Sequence, residues 1–181
     1  MAATFTAFAV PAVGRTLLAR RRSSTSAEQA AHDLLALCCV DPSRIPAHIV
    51  DKHVELATQR REYPDVDAEL LTAARSLLWL LADRRKYAAM QRSITVPVLL
   101  LHGAQDRLVP VASARAAAEA NPRWRYVEAP DVGHIPQLEA PEWTAEQVLG
   151  WLADHPGTAA AAAAARPRPA RPPPRPAQED R

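Results

Sequence analysis

Two side chains in the second half of the chain have the types and order needed to move a proton. Asp106 closes Val-Pro-Val-Leu-Leu-Leu-His-Gly-Ala-Gln-Asp (Val96 to Asp106), and His134 follows 28 residues later at the end of Asp-Val-Gly-His (Asp131 to His134). A carboxylate against one imidazole nitrogen fixes the tautomer and stabilises the imidazolium. The other nitrogen can then take a proton from a serine, a cysteine or water. Such a pair needs a nucleophile to serve, and the usual Gly-x-Ser-x-Gly elbow is missing. Gly14, Gly103, Gly133, Gly150 and Gly157 are the only glycines, and no two of them bracket a serine at that spacing. The backbone donors that such an elbow gives to an oxyanion hole are missing with it.

The other candidate groups read as structural. Asp131 lies too close in sequence to His134 to serve as its acid and reads as a turn former. His102 at a strand end reads as a packed or loop histidine. His32, His48, His53 and His155 lack metal-ligand spacing and fall on helix surfaces or, for His155, a helix terminus. Cys38 and Cys39 are adjacent, which seldom gives the Cα spacing a disulfide needs, so they read as small buried residues in a reducing cytoplasm. Neither a metal nor a cofactor is expected.

The elements that must hold Asp106 and His134 come from periodicity. Val96 to Leu101 is a short apolar run of the kind found in a parallel strand covered on both faces. Ser113 to Ala120 is helical, Trp124 to Glu128 is a second strand, and Glu142 to Ala153 is an amphipathic helix. The result is a βαβα unit with two parallel strands, and chemistry in such sheets gathers at the carboxyl ends of the strands. Gly133 is read as permitting a sharp turn before His134.

Upstream the pattern is helical. Thr25 with Glu28 and Ser26 with Gln29 both fit a capping box, and Ala30, Leu34, Leu37 and Cys38 follow at helical spacing up to Asp41-Pro42. A second helix starts near Pro46 and passes through Ile49, His53, Leu56 and Arg60. After the break at Tyr63-Pro64-Asp65, Asp67 reads as the N-cap of a third helix with the stripe Leu70, Leu71, Ala74, Leu77, Leu78 and Leu81. A fourth runs from Arg84 to Arg92. Only five glycines among 181 residues also favour helix over sheet.

Composition excludes some functions. The net charge of +2 is concentrated in the last 25 residues, where five Arg face Glu179 and Asp180; the remainder comes to −1. Nucleic-acid binding by a folded surface is therefore not expected. No apolar run approaches the roughly 20 residues that span a bilayer, so no membrane span is expected. The acid-free, Arg-containing first 27 residues are read as an apolar stretch and basic turn within a longer domain rather than a targeting peptide. From Gly157 the chain becomes seven alanines and a Pro/Arg mixture, which predicts a disordered tail.

Leu-His-Gly-Ala-Gln-Asp-Arg-Leu-Val-Pro (Leu101 to Pro110), Asn-Pro-Arg-Trp-Arg-Tyr (Asn121 to Tyr126) and Val-Gly-His-Ile-Pro-Gln-Leu-Glu-Ala-Pro-Glu (Val132 to Glu142) together resemble the C-terminal half of an α/β-hydrolase. The resemblance implies Asp106 as triad acid and His134 as base. It also implies a helix-rich α/β fold in which a helical cap precedes the terminal βαβα unit. The expected layout is a lead-in over 1–22, a cap-like region over 23–93, the βαβα part of the core over 94–155 and the tail over 156–181. The implied activity is hydrolysis of a small ester or related acyl substrate, with this chain inactive alone. A separately supplied N-terminal hydrolase segment is the expected partner. The alternative is a non-catalytic module that docks on such a partner. The nucleophile's type (Ser, Asp or Cys), the substrate and whether Met1 is the true start stay open at this level.

Overall fold

The computed structural model describes residues 11–63 and 65–157. The first ten residues, Pro64 and the Ala/Pro/Arg stretch 158–181 lie outside the described residues, and with them the expected tail.

Among the described residues, five helices precede the sheet: α1 (Pro11–Ser24), α2 (Ala27–Cys38), α3 (Ala47–Gln59), α4 (Val66–Ala82) and α5 (Arg84–Arg92). Short 3-10 turns at Pro42–Arg44 and Arg60–Glu62 join them. Segment 11–24, read as an apolar stretch with a basic turn, is instead helical. Its Arg22 pairs with Asp67 at 2.9 Å, fastening α1 to α4. Of the two capping candidates, Ser26 is used: its hydroxyl accepts from the Gln29 N–H at 3.0 Å. Asp67 is not an N-cap. Asp65 holds that place without a side-chain cap bond, and Asp67 sits in the first turn, where a negative charge suits the helix dipole.

The sheet consists of β1 (Leu99–Gly103) and β2 (Arg125–Ala129), joined through α6 (Val111–Ala120) and running parallel. Leu99 is opposite Arg125, His102 opposite Glu128, and Gly103 opposite Ala129. β1 starts later than the apolar run suggests, because Pro97 has no N–H for a ladder. After β2 come a four-residue helix α7 (Pro136–Glu139), which periodicity does not reveal, and α8 (Pro141–Asp154).

The core lies directly beneath the strand tips. Leu35, Cys38, Cys39 and Ile45 are buried together, with Ile49 and Val50 of α3 and Leu108, Ile135 and Leu138 packed against them. Helical packing and the two loops after the strands thus share one apolar cluster. The sheet itself is less covered than a both-faces-buried strand requires. Leu99 to His102 are all half-buried, and Val96 ahead of them is 66% exposed. The leucine stripe of α4 buries only Leu71, while Leu70, Leu77 and Leu81 face outward.

Candidate functional site

Asp106 stands on the loop that leaves β1. That loop is held by main-chain bonds, two of them to the end of β2 and the loop after it: Ala104 N–H donates to Ala129 O at 2.8 Å, Gln105 N–H to Val132 O at 3.1 Å and Asp106 N–H to Gly103 O at 3.2 Å. It also requires glycine. A Cβ on Gly103 would fall 2.0 Å from Gly133 O and 2.3 Å from Val132 O. The two strand-tip loops therefore touch backbone to backbone.

The Asp106 side chain is 2% exposed and its oxygens divide their partners. Oδ1 accepts from the N–H groups of Leu108 at 2.7 Å and Val109 at 2.9 Å. Oδ2 lies 2.8 Å from Nδ1 of His134. An ionised carboxylate can only accept, so Nδ1 carries the proton, and in the neutral ring the lone pair falls on Nε2. Burial pushes the Asp106 carboxyl up. The hydrogen bonds from His134, Val109 and Leu108, with the attraction of His134, outweigh it and hold the group below the ordinary aspartate value.

The His134 side chain is 36% exposed, and no hydrogen bond to Nε2 forms among the described residues. Its main chain is anchored from behind: His134 N–H donates to Cys38 O at 2.6 Å, at the C-terminal end of α2. A Cβ on Gly133 would meet that same Cys38 O at 2.3 Å, and no described glycine has a positive φ. Close approach to α2, rather than the expected sharp turn, is what calls for glycine at 133.

The remaining candidates sort themselves by position. Asp131 faces away from the imidazole, pairing with Arg44 and accepting from Gln105 Nε2 at 3.1 Å. His155 ends α8, donating to Trp151 O and stacking on the Trp151 ring. His102 is closer to the chemistry than its strand-end position suggests. Its Nε2 donates to Val109 O at 3.0 Å and lies 3.5 Å from Asp106 Oδ2. Beside it, Glu128 accepts from Arg115 through Nε at 2.9 Å and Nη2 at 2.6 Å, and from the Tyr126 hydroxyl at 2.7 Å. Those bonds lower Glu128 to about 2, and burial with the Glu128 bond raises Tyr126 to about 12.

Cys38 and Cys39 are free and buried. Burial raises both thiols, Asp106 adds to the effect at Cys38, and Cys39 reaches about 11. Both thiols therefore hold their protons at neutral pH. Among the described residues no group of three His, Cys, Asp or Glu could hold a metal ion, and no helix is long and apolar enough to cross a membrane.

Glu139 has no role legible in the sequence. It is a buried carboxylate that accepts the N–H groups of Val40, Asp41 and Gly133. Its first two partners lie about a hundred residues away, so no local spacing could have revealed it.

Known proteins resemble this arrangement. A stretch of 62 residues is 37% identical to a Mycobacterium tuberculosis protein named as the non-heme bromoperoxidase BpoC, covering 34% of this chain and 24% of that one. Another, of 65 residues, is 43% identical to a pimeloyl-[acyl-carrier protein] methyl ester esterase of Aromatoleum aromaticum, covering 36% of this chain and 26% of the relative. The match thus spans about a quarter of the length of each relative. A solved structure described as an aryl esterase from Burkholderia cenocepacia superposes with a TM-score of 0.51 at 27% identity, over 69% of this chain and 41% of that one. The family model described as the alpha/beta hydrolase fold matches residues 4–141, well over half of the chain, and the chain belongs to that family.

Proposed function

We propose that Asp106 and His134 are the acid and base of a centre that hydrolyses a small ester or related acyl substrate. The nucleophile and oxyanion donors come from protein outside these 181 residues. The supporting observation is the 2.8 Å contact between Asp106 Oδ2 and His134 Nδ1, with the far side of the carboxylate already occupied by two N–H groups and no hydrogen bond to Nε2 among the described residues. That polarity is what a proton relay to a hydroxyl needs. The esterase names of the relatives favour an ester substrate.

The helices of 23–93 act in this reading as a cap that walls the substrate site, ahead of a catalytic part over 94–155. The expected outcome with the isolated chain is no turnover of a p-nitrophenyl ester. Turnover should appear on mixing with a hydrolase segment that carries a Gly-x-Ser-x-Gly elbow, and His134→Ala should abolish it. Ester hydrolysis by the homogeneous chain alone, lost in His134→Ala, would falsify the division of labour.

A second reading, a docking module without catalysis, draws on the sheet. β1 pairs only with β2 among the described residues, leaving each strand one open edge, and Val96 and Leu149 are about two-thirds exposed. Co-purification of a partner without any ester turnover favours it; a monodisperse, partnerless monomer counts against it.

A further inference from the structure

The Glu139 side chain is fully buried, yet it lies between two segments distant in sequence. Its Oε1 accepts the N–H groups of Val40 at 2.7 Å and Asp41 at 2.8 Å, just beyond the end of α2. Its Oε2 accepts the Gly133 N–H at 2.7 Å. Arg44 Nη1 approaches Oε1 to 3.9 Å. A buried carboxylate is tolerated only when its oxygens are satisfied, and here three charge-assisted bonds satisfy them.

The consequence falls on the neighbouring residue. Gly133 N–H is held by Glu139 and His134 N–H by Cys38 O at 2.6 Å, so two successive peptide groups are pinned to one end of α2. The two pinned peptides flank the Gly133 Cα, so the backbone leading into His134 is held where its ring reaches Asp106 at 2.8 Å. We propose that Glu139 is a positioning residue. Its carboxylate ties the histidine loop to the segment that follows α2, and thereby keeps Nδ1 of His134 in hydrogen-bond reach of Asp106. The inference rests on the proton-relay reading of that pair only for its catalytic meaning, because the positioning itself is read without substrate.

Glu139→Gln tests it at constant shape. The amide offers a single acceptor oxygen, best spent on the two N–H groups of Val40 and Asp41, which turns the NH2 toward the Gly133 N–H. Donor then faces donor at the histidine loop alone. The expected result, with circular dichroism unchanged, is amide exchange at Gly133 faster on the order of 10- to 100-fold, while Val40 and Asp41 stay protected. Long-range 1H–15N correlation of the His134 ring should show the proton leaving Nδ1 for a mixture of tautomers. A folded Glu139→Gln protein with unchanged Gly133 exchange and an unchanged His134 tautomer overturns the proposal.

If that variant does not fold, native-state exchange of the unsubstituted protein decides. Gly133, His134, Val40 and Asp41 should open together as one unit, and independent opening overturns the proposal. Neither readout depends on ester turnover, so an absence of hydrolysis counts against the proposed function without touching this assignment.

Discussion

The main-chain N–H of His134 donates to the carbonyl of Cys38 at 2.6 Å, and the Gly133 Cα approaches that carbonyl so closely that a Cβ would sit 2.3 Å from it. The imidazole is therefore supported by the end of a helix nearly a hundred residues earlier, as well as by the sheet that carries it. Because both contacts at this point are backbone, neither side can yield by changing a rotamer.

Gly133→Ala should accordingly push the histidine loop off α2 and cost about 1–3 kcal/mol, the usual range for overpacking. Gly150→Ala is the contrasting substitution. Gly150 lies within α8 with nothing within 4 Å of an added Cβ, so the gain in helix propensity should stabilise by about 0.5–1 kcal/mol. Urea titration of both variants checks the pair, and a neutral Gly133→Ala would contradict the close approach.

Asp106→Asn should leave the loop bonds to Leu108 and Val109 intact while turning an amide NH2 toward His134. The ring must then accept through Nδ1 and carry its proton on Nε2, the wrong tautomer for a base. Ring 15N shifts should report the switch directly. In any reconstituted hydrolase, turnover should fall by about 10⁴-fold, as it does for the same change in serine-protease triads. Retention of the Nδ1 proton would refute the assignment.

Acid should weaken the fold through Glu128. Its value is lowered from 4.5 to about 2 by Arg115 and Tyr126, so the folded state holds the carboxylate ionised where the unfolded chain would protonate. The associated stability is present above about pH 4.5 and is lost as the pH falls toward 2. The lowered Asp106 acts in the same direction. Thermal melts across this range should fall less steeply in Glu128→Gln than in the parent, and parallel slopes would argue against the network.

The two thiols should behave oppositely. A raised thiol keeps its proton in the folded state, so stability declines as the pH rises from about 9, the ordinary value, toward the 11 of Cys39. Iodoacetamide at pH 8 should label the native protein far more slowly than the urea-unfolded one. Rapid native labelling would mean that the core around Leu35 and Cys39 is open.

Leu35 is nearly inaccessible at the centre of the cluster that also holds Leu108 and Ile135. Leu35→Ala should cost about 2–5 kcal/mol. It should also loosen the acid and histidine loops together, which amide exchange at Leu108 and Ile135 would register.

Much of this architecture was legible along the chain, because it depends on neighbours. Helical spacing located α2, α3, α4 and α5, with α5 matching at both ends. The apolar runs before Gly103 and around Tyr126 gave two parallel strands, and the loops after them carry Asp106 and His134. Local pattern misled where one residue outweighed composition: Pro97 delays β1, and the Arg-rich segment 11–24 becomes a helix fastened by Arg22 to Asp67. What only the tertiary structure decided is how those loops are held. The grip of Glu139 on Val40 and Gly133, the seat of His134 on Cys38 O and the approach of His102 to Asp106 join atoms that sequence spacing does not relate. Periodicity records which face of an element is apolar. Hydrogen bonds between distant loops depend on where packing places each backbone, and that is fixed only once the chain has closed on itself.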